Sequence, residues 1–359
     1  MNKEVKGKYL SLKKNACFEV LQQNRTVPIG DQVEIAMHKV GICASDIERT
    51  CRFGAYTYPL VIGHEMSGII SRVEDKGRLN FKIGDRVAVF PLLPCFACES
   101  CDRKKFALCK SYSYYGSRTN GGMSSYLNVN TWNLLKIPDN VSLEDAALLE
   151  PSAVVLHAIK KLELSRDVSL NICILGAGFL GLLCINLLKK NYQNCKITVL
   201  DRNNYKTEEA RSLGAEAETI PSSEEMELFC DKMKSSFDCV LEFVGAPETF
   251  VNSIQLCKAN GTIVWIGNIS ADLSIPKSLV SSILRKELRI LGSWNSDYKI
   301  NSSCDWTATL DLMSKGFSPS KLISNRIKIS EVGETLLKMN DHKNRISEFK
   351  NIKTLVELR

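Results

Sequence analysis

The chain has 359 residues, of which 44% are hydrophobic and 24% charged, a composition typical of a globular protein with two domains of ordinary size. It has no low-complexity tract and no apolar run long enough to span a membrane, so we expect a soluble protein. The net charge of +7 comes from 47 basic and 40 acidic residues dispersed along the chain. This dispersion argues against nucleic acid as the partner and is compatible with an anionic small molecule.

Residues 1–150 predict a domain rich in short strands and loops. Alternating apolar residues predict strands at 32–40 (QVEIAMHKV) and 85–90 (DRVAVF), and Gly and Pro punctuate the segments between them. The N-terminal segment MNKEVKGKYLSLKK lacks the apolar stretch of a secretory signal, and most cysteines are scattered. We therefore expect a cytoplasmic protein with reduced cysteines.

Three stretches of this domain carry residue types that bind zinc in catalytic sites. A catalytic zinc takes three protein ligands and keeps one position open. Cys43 and His64 supply a thiolate and an imidazole, and either Glu65 or Glu150 can supply the third ligand, with exchange as water or substrate enters. Each stretch alone has an ordinary structural explanation, so the prediction depends on their joint occurrence. Asp46, three residues after Cys43, is expected to support a ligand.

A second metal site is predicted by four cysteines packed into the segment PCFACESCDRKKFALC. They are Cys95, Cys98, Cys101 and Cys109. Four thiolates close a tetrahedral zinc and leave no open position, so this zinc is expected to be structural. An iron–sulfur cluster is the first alternative. In its bacterial pattern three residues separate the third cysteine from the fourth, and proline follows the fourth. Here seven residues separate Cys101 from Cys109, and Lys110 follows, so the pattern does not match. Disulfides are the second alternative, and the expected reducing compartment disfavours them.

From about Ser169 the pattern changes to short apolar runs that alternate with helical stretches. This pattern predicts buried parallel strands in a doubly wound α/β domain. The runs are LNICILG (170–176), KITVLD (196–201), FDCVLEFVG (237–245), GTIVWIG (261–267) and LRILGSW (288–294). The C-terminal segment KNIKTLVELR is expected to return a strand to the first domain. The predicted domains are 1–155 with 296–359, and 156–295.

The first of these runs leads into a glycine-rich motif typical of dinucleotide binding. Its context fits, because a strand precedes GAGFLG, a helix follows it, and an acidic residue ends the next strand. The glycines let the backbone approach the pyrophosphate, which then meets a helix N-terminus. The candidate cofactor-binding residues are Gly176, Gly178, Phe179, Leu180, Gly181, Asp201 and Arg202.

The acidic residue Asp201 favours NAD over NADP. Its carboxylate can accept hydrogen bonds from the adenosine ribose hydroxyls and would repel a 2′-phosphate. Arg202 can bind that phosphate, so NADP stays as the alternative, although a basic residue at this position is more often a solvated neighbour of the adenine.

The order C-x-S-D, G-H-E, four-cysteine lobe, E-P and G-A-G-x-x-G resembles the zinc-dependent medium-chain dehydrogenase/reductase superfamily over essentially the whole chain. Glu150 in place of a third cysteine ligand is similar to the sorbitol dehydrogenase side. The strings FPLLPCFACESC, YYGSRTNGGMSSYL and ILRKELRILGSW resemble the galactitol-1-phosphate 5-dehydrogenases. The resemblance implies a GroES-like β-rich catalytic domain, a Rossmann domain that binds NAD, two zinc ions per chain, and a homodimer or homotetramer.

The implied reaction is oxidation of a secondary alcohol of a polyol phosphate to a ketose phosphate. Ser45 would take the hydroxyl proton and pass it toward the nicotinamide ribose. Many relatives have a histidine where this chain has Glu48, so either Glu48 or water carries the last step. Arg118 is the candidate phosphate ligand, or else anchors its own loop or braces the cofactor. Tyr56 lines the polyol pocket or packs in the core.

Two other functions stay open. The nearest is a dehydrogenase of an unphosphorylated polyol or a threonine-like substrate. The other is a non-catalytic zinc protein that binds NAD, against which the complete set of catalytic zinc ligands argues. A nucleic-acid-binding zinc module is excluded by the lack of a basic stripe beside the cysteine lobe.

Overall fold

The computed structural model describes residues 7–74, 80–164, 169–192, 194–300 and 302–359. Residues 1–6, part of the N-terminal segment considered above, lie outside this description. The chain divides into two compact units, Met1–Ala153 with Asp297–Arg359 and Val154–Ser296. The assignment of catalysis to the first and cofactor binding to the second stays a prediction. Among the described residues, no helix is long and apolar enough to cross a membrane.

The first part of the chain consists of strands joined by loops and short helices. Its strands are β1 (Gly7–Lys14), β2 (Cys17–Gln23), β3 (Gln32–Ile42), β4 (Glu65–Arg72), β5 (Arg86–Val89), β6 (Leu92–Leu93), β7 (Ser113–Tyr114), β8 (Tyr126–Asn130) and β9 (Leu134–Lys136). Its helices are α1 (Ala44–Ile47), α2 (Glu99–Asp102), α3 (Leu143–Ala147) and α4 (Leu149–Lys160), with a π-helical turn at Glu48–Arg52 and 3₁₀ turns at Phe106–Leu108 and Thr131–Asn133. Helix α4 continues into the second unit.

Strands and helices then alternate through the second unit. The strands are β10 (Asn171–Leu175), β11 (Lys196–Asp201), β12 (Glu216–Thr219), β13 (Phe237–Glu242), β14 (Cys257–Trp265) and β15 (Arg289–Gly292). The helices are α5 (Phe179–Asn191), α6 (Asn204–Ser212), α7 (Ser223–Lys232), α8 (Pro247–Leu256) and α9 (Lys277–Lys286).

The C-terminal segment completes the first unit. Its elements are α10 (Asp305–Ser314), a 3₁₀ turn at Pro319–Leu322, β16 (Asn325–Lys328), a 3₁₀ turn at Ile329–Glu331, α11 (Val332–Lys343) and β17 (Thr354–Glu357).

A seven-stranded sheet organises the first unit, in the order β16-β17-β3-β4-β5-β9 with β8 also paired to β3. Strand β17 runs antiparallel to β3, so the predicted return of the C-terminal strand is confirmed. Apolar side chains of β3, β4 and β5 pack with Val332, Leu336 and Met339 of α11 in one buried cluster. Burial of these side chains stabilises the frame on which the loops after β3 and before β4 are held.

The second unit is built around a parallel sheet in the order β12-β11-β10-β13-β14-β15. The five predicted strands lie at β10, β11, β13, β14 and β15, with helices between most of them. The strand order reverses between β10 and β13, and ligands of such sheets bind at the carboxyl ends of the strands beside that reversal. The predicted fold class, a β-rich domain plus a doubly wound α/β domain, is confirmed.

Candidate active site and metal centres

Cys43, His64 and Glu65 form a cluster in which the three potential ligand atoms all lie within 4.8 Å of one another. His64 is 5% and Glu65 1% exposed. Cys43 lies between β3 and α1, and Glu65 is the first residue of β4. A partly buried thiol together with a buried imidazole and a buried carboxylate forms a donor set that suits zinc, so these residues fit the predicted metal.

The pairing of β3 with β4 brings Glu65 to this position. Gly41 is the register partner of Glu65. A Cβ atom at Gly41 would lie 1.8 Å from Glu65 Oε2, so the carboxylate occupies space that any side chain at position 41 would fill. The glycine two residues before Cys43 therefore makes room for the carboxylate in the cluster.

Asp46 supports the cluster from the first turn after Cys43. Its Oδ2 accepts a hydrogen bond from the Cys43 backbone N–H at 3.0 Å, and its Oδ1 lies 3.5 Å from His64 Nδ1 and 3.0 Å from Arg49 Nη1. Burial opposes ionisation of Asp46, but His64 and Arg49 outweigh it and lower its pKa. Burial lowers the pKa of His64, whereas Asp46 and Cys43 raise it to well above its usual value. The same negative field attracts a metal cation.

Lys353 is a site residue that the sequence analysis missed. Its Nζ donates to Glu65 Oε1 at 2.5 Å and to the Ile42 carbonyl oxygen at 2.9 Å. Lys353 is 3% exposed, and it lies directly before β17. The C-terminal strand thus places a buried cation against one of the two candidate carboxylate ligands.

Glu150 lies outside the three-residue cluster but close to it. The Tyr114 hydroxyl donates to Glu150 Oε1 at 3.1 Å, and the Tyr114 ring contacts the His64 ring at a centroid distance of 5.8 Å. Burial raises the pKa of Glu150 to about 7; His64 lowers it and Glu65 raises it. Tyr114 begins the string YYGSRTNGGMSSYL but was not predicted to be a site residue, and it contacts both Glu150 and His64.

The four cysteines of the predicted structural site also converge, with all ligand atoms within 4.8 Å of one another. The Cys101 sulfur lies 3.9 Å from that of Cys95 and 3.6 Å from that of Cys98. All four cysteines are free, and the two sulfur–sulfur separations are close to the edge of about 3.8 Å in a zinc tetrathiolate. The backbone N–H groups of Cys101 and Lys110 lower the pKa of Cys98 to about 6, which favours the thiolate.

The glycine motif of the second unit forms a tight turn between β10 and α5. Gly176 has φ +101°, and a Cβ atom on Gly181 would lie 2.0 Å from the Gly176 carbonyl oxygen. Apart from the two residues adjacent to Gly178, no heavy atom of the described part of the chain lies within 4 Å of the place that a Cβ atom on Gly178 would take, so a ligand can approach this backbone closely. Phe179 and Leu180 begin α5. The turn fits the pyrophosphate of a dinucleotide.

Asp201 ends β11 beside this turn. Its Oδ2 accepts a hydrogen bond from the Ala177 N–H at 2.8 Å, and its Oδ1 accepts from the Asn203 N–H at 2.9 Å. Arg202, the next residue, is exposed. The carboxylate is thus held at the edge of the sheet where an adenosine ribose is expected.

Arg118 lies over two tyrosine rings. Its guanidinium carbon is 4.6 Å from the ring centre of Tyr56 and 4.4 Å from that of Tyr112. Nη1 also lies 3.4 Å from the Tyr112 carbonyl oxygen, and no ion pair joins Arg118 to a carboxylate of the described residues. Tyr56 is 68% exposed and is not a core residue. The Tyr112 ring contacts the Tyr114 ring at 6.3 Å, which connects this cation to the Glu150 region.

Ser45 and Glu48, the two residues considered for proton transfer, have different surroundings. Ser45 is part of α1, two residues after Cys43, and is partly buried. Burial opposes ionisation of Glu48, but Lys343 and Arg52 outweigh it and lower its pKa. Lys343 Nζ donates to Glu48 Oε1, and Arg52 Nη1 lies 3.1 Å from the same oxygen. A carboxylate held by two cations is a poor proton acceptor near neutral pH.

Comparison with known proteins identifies two family models along the chain. Residues 30–139 match the alcohol dehydrogenase GroES-like domain, and residues 180–315 match the zinc-binding dehydrogenase domain. Galactitol 1-phosphate 5-dehydrogenase of Escherichia coli K12 is 32% identical over 306 residues, which cover 82% of this chain and 85% of that protein. Sorbitol dehydrogenase of Bombyx mori is 29% identical over 317 residues, covering 85% and 87%.

A solved structure shows the same architecture. The crystal structure of galactitol-1-phosphate dehydrogenase from Escherichia coli superposes with a TM-score of 0.84 at 28% identity, covering 98% of this chain and 99% of that one. The resemblance inferred from the motifs is confirmed. The chain therefore belongs to the zinc-dependent medium-chain dehydrogenase/reductase family, and it is an oxidoreductase of the nicotinamide-dependent alcohol and polyol dehydrogenase type.

Proposed function

We propose that this dehydrogenase oxidises a secondary alcohol of a polyol phosphate to a ketose phosphate, with NAD as the hydride acceptor. The observation that carries the proposal is Arg118, a cation braced by two tyrosine rings and free of any carboxylate among the described residues. A guanidinium in this state can bind a phosphate through two parallel N–H groups. The similarity to galactitol 1-phosphate 5-dehydrogenase supports the same substrate class.

The residues that would hold the catalytic zinc are Cys43, His64 and Glu65, with Glu150 as the carboxylate that can exchange with Glu65. Zinc in such a site supplies Lewis acidity, which makes an alcohol hydroxyl a better proton donor. The four cysteines of the lobe, Cys95, Cys98, Cys101 and Cys109, would hold a second, structural zinc.

Ser45 is the proposed first acceptor of the substrate proton, because its hydroxyl lies two residues past Cys43 and can both accept and donate. The ion pairs of Glu48 with Lys343 and Arg52 favour water over Glu48 as the next carrier. Tyr114 orients the Glu150 carboxylate through its hydroxyl.

The proposed preference for NAD depends on Asp201. Its position at the end of β11 suits hydrogen bonds to the ribose hydroxyls, and its charge opposes a 2′-phosphate. NADP is the alternative cofactor, with Arg202 as the candidate phosphate ligand.

Substitution of Arg118 tests the substrate proposal. Arg118→Ala should raise KM for the phosphorylated polyol about ten- to a hundredfold, equivalent to about 1.5–3 kcal/mol, and barely change turnover of the bare polyol. Arg118→Lys should recover part of the loss, because an ammonium keeps the charge but not the planar fork. Equal losses on both substrates would assign Arg118 to bracing of its loop or of the cofactor.

A dehydrogenase of unphosphorylated polyols is the second candidate. The similarity to sorbitol dehydrogenase favours it, as does the contact of Arg118 with its own segment through the Tyr112 carbonyl oxygen. Equal kcat/KM values for a polyol and its phosphate would support this candidate.

A further inference from the structure

Glu242 is a buried carboxylate of the second unit that none of the roles above uses. It is the last residue of β13, and its register partners are Leu175 at the end of β10 and Trp265 at the end of β14. The strand order reverses between β10 and β13. Glu242 therefore lies at the edge of the sheet where a dinucleotide is expected to bind.

One oxygen of Glu242 organises the turn that follows β13. Oε1 accepts hydrogen bonds from the backbone N–H groups of Val244 and Gly245, both at 2.8 Å, and from the Thr249 hydroxyl of α8 at 2.7 Å. Glu242 is 0% exposed, so water does not compete for these donors. Burial raises the pKa of Glu242, and the hydrogen bonds from Thr249, Gly245 and Val244 oppose this rise because they favour the ionised carboxylate. The carboxylate thus fixes the path of residues 243–246.

The second oxygen faces the turn that follows β14. Oε2 has no hydrogen-bond partner among the described residues. A Cβ atom on Gly267 would lie 2.6 Å from Oε2 and 2.3 Å from the Gly245 nitrogen. The two turns therefore pack backbone to backbone around the carboxylate, and neither can shift without disturbing the other.

Val244 connects this arrangement to the glycine motif. Its side chain is 51% exposed, and a Cβ atom on Gly176 would lie 2.9 Å from Val244 Cγ2. Val244, whose backbone N–H donates to Glu242, therefore lies directly against the turn expected to receive the pyrophosphate.

The topology decides which half of a dinucleotide these turns face. Asp201 ends β11, on one side of β10, where the adenosine ribose is expected; β13 and β14 lie on the other side. We propose that Glu242 is a positioning residue that holds Val244 and Gly245 in the conformation that receives the nicotinamide half of the cofactor. This inference rests on the nicotinamide cofactor of the proposed function.

The experiment compares NADH with ADP-ribose, which has the adenosine and pyrophosphate groups but no nicotinamide. Calorimetric Kd values are measured for the wild type and for Glu242→Gln, which keeps the size of the side chain and removes its charge. In Glu242→Gln we expect the Kd for NADH to rise about tenfold, because the turn would adopt its binding conformation about a tenth as often. The Kd for ADP-ribose should change less than about twofold. Thr249→Val, which removes one of the three donors, should weaken NADH about two- to threefold.

Glu248→Gln is the matched control, because it removes an exposed carboxylate from the same helix, and it should change neither Kd. Equal weakening of NADH and ADP-ribose in Glu242→Gln would assign Glu242 a general structural role, and an unchanged Kd for NADH would refute the inference. If Glu242→Gln does not fold, the NADH to ADP-ribose ratio of Thr249→Val decides. If the wild type prefers NADPH, the proposed preference for NAD is wrong, but the inference about Glu242 is not affected. The ratio of Kd values for NADPH and 2′-phospho-ADP-ribose then tests Glu242 in the same way.

Discussion

At the scale of single residues, Lys353 and Glu65 form a buried ion pair at the Cys43–His64–Glu65 cluster. Both side chains are almost fully enclosed, at 3% and 1% exposure. Removing one partner of such a pair leaves a charge without compensation and costs about 3–5 kcal/mol. A cation at the Cys43–His64–Glu65 cluster can compensate Glu65 in place of the lysine.

Lys353→Met should therefore destabilise the zinc-depleted protein more than the zinc-loaded protein. Calorimetric melting of both forms measures the difference, which should amount to several degrees in Tm. Lys353→Arg keeps the charge and should leave most of the stability in both forms. The same drop in Tm with and without zinc would contradict a shared role of lysine and metal at Glu65.

Glu150→Gln gives a prediction about pH. The folded pKa of Glu150 is raised from 4.5 to about 7, mainly by burial, so the unfolded chain loses this proton at lower pH than the folded chain does. The free energy of unfolding therefore falls as pH rises from about 4.5 to about 7, because Glu150 stays protonated in the folded protein over this range. Above that range the loss is complete and amounts to about 3 kcal/mol.

A neutral glutamine avoids this cost. The zinc-depleted Glu150→Gln protein should match wild type in unfolding free energy near pH 4.5 and exceed it at pH 8, as measured by urea titration at both values. A stability difference that does not change with pH would show that Glu150 titrates normally.

Residue types alone predicted Cys43, His64 and the four cysteines of the lobe as candidate zinc ligands, because few other side chains can bind zinc, and their potential ligand atoms converge in the structure. Lys353 and Tyr114 could not be identified in this way. Lys353 contacts a residue 288 positions away, and a lysine before a short apolar run is usually solvated. Glu242 is similar, since its role depends on where two turns meet.

At the scale of elements, the cysteine lobe is tied to the first unit by aromatic packing. Trp132 contacts Phe96 at 4.9 Å and Phe106 at 5.2 Å, both within the lobe, and contacts Tyr298 at 5.1 Å on its other side. Helix α2 and the following 3₁₀ turn are too short to be stable alone, so metal binding and this aromatic contact hold the lobe.

Cys101→Ser should remove the structural zinc and lower Tm by roughly 6–12 °C, as expected for a loss of about 3 kcal/mol in a domain of this size. The tryptophan emission should shift to the red as Trp132 loses its partners. Metal analysis and fluorescence check both effects, and Trp132→Phe is the control that should abolish the shift. Retention of both zinc ions in Cys101→Ser would contradict the four-cysteine site.

Hydrophobic patterning predicted the central strands of the second unit because parallel strands buried on both faces consist of near-continuous apolar residues. Strand β12 was not predicted. Its sequence EAET alternates polar and small residues, which is typical of a strand at the edge of a sheet, and gives little local signal.

At the scale of the whole molecule, the candidate zinc ligands all belong to the first unit, and the glycine motif, Asp201 and Glu242 belong to the second. Motif order along the chain predicts a division of this kind, because each motif belongs to one kind of domain. The identity of the substrate depends on single side chains such as Arg118, for which the order of motifs carries no information.

The most direct test of the central claim is kcat/KM of the wild type for a polyol phosphate and for the same polyol without phosphate. Galactitol 1-phosphate and galactitol, with NAD in excess, form a suitable pair. Loss of a bidentate contact between guanidinium and phosphate costs about 1.5–3 kcal/mol, so the phosphorylated substrate should be preferred by about ten- to a hundredfold or more. Equal values, or a preference for the bare polyol, would contradict the assignment as a polyol-phosphate dehydrogenase.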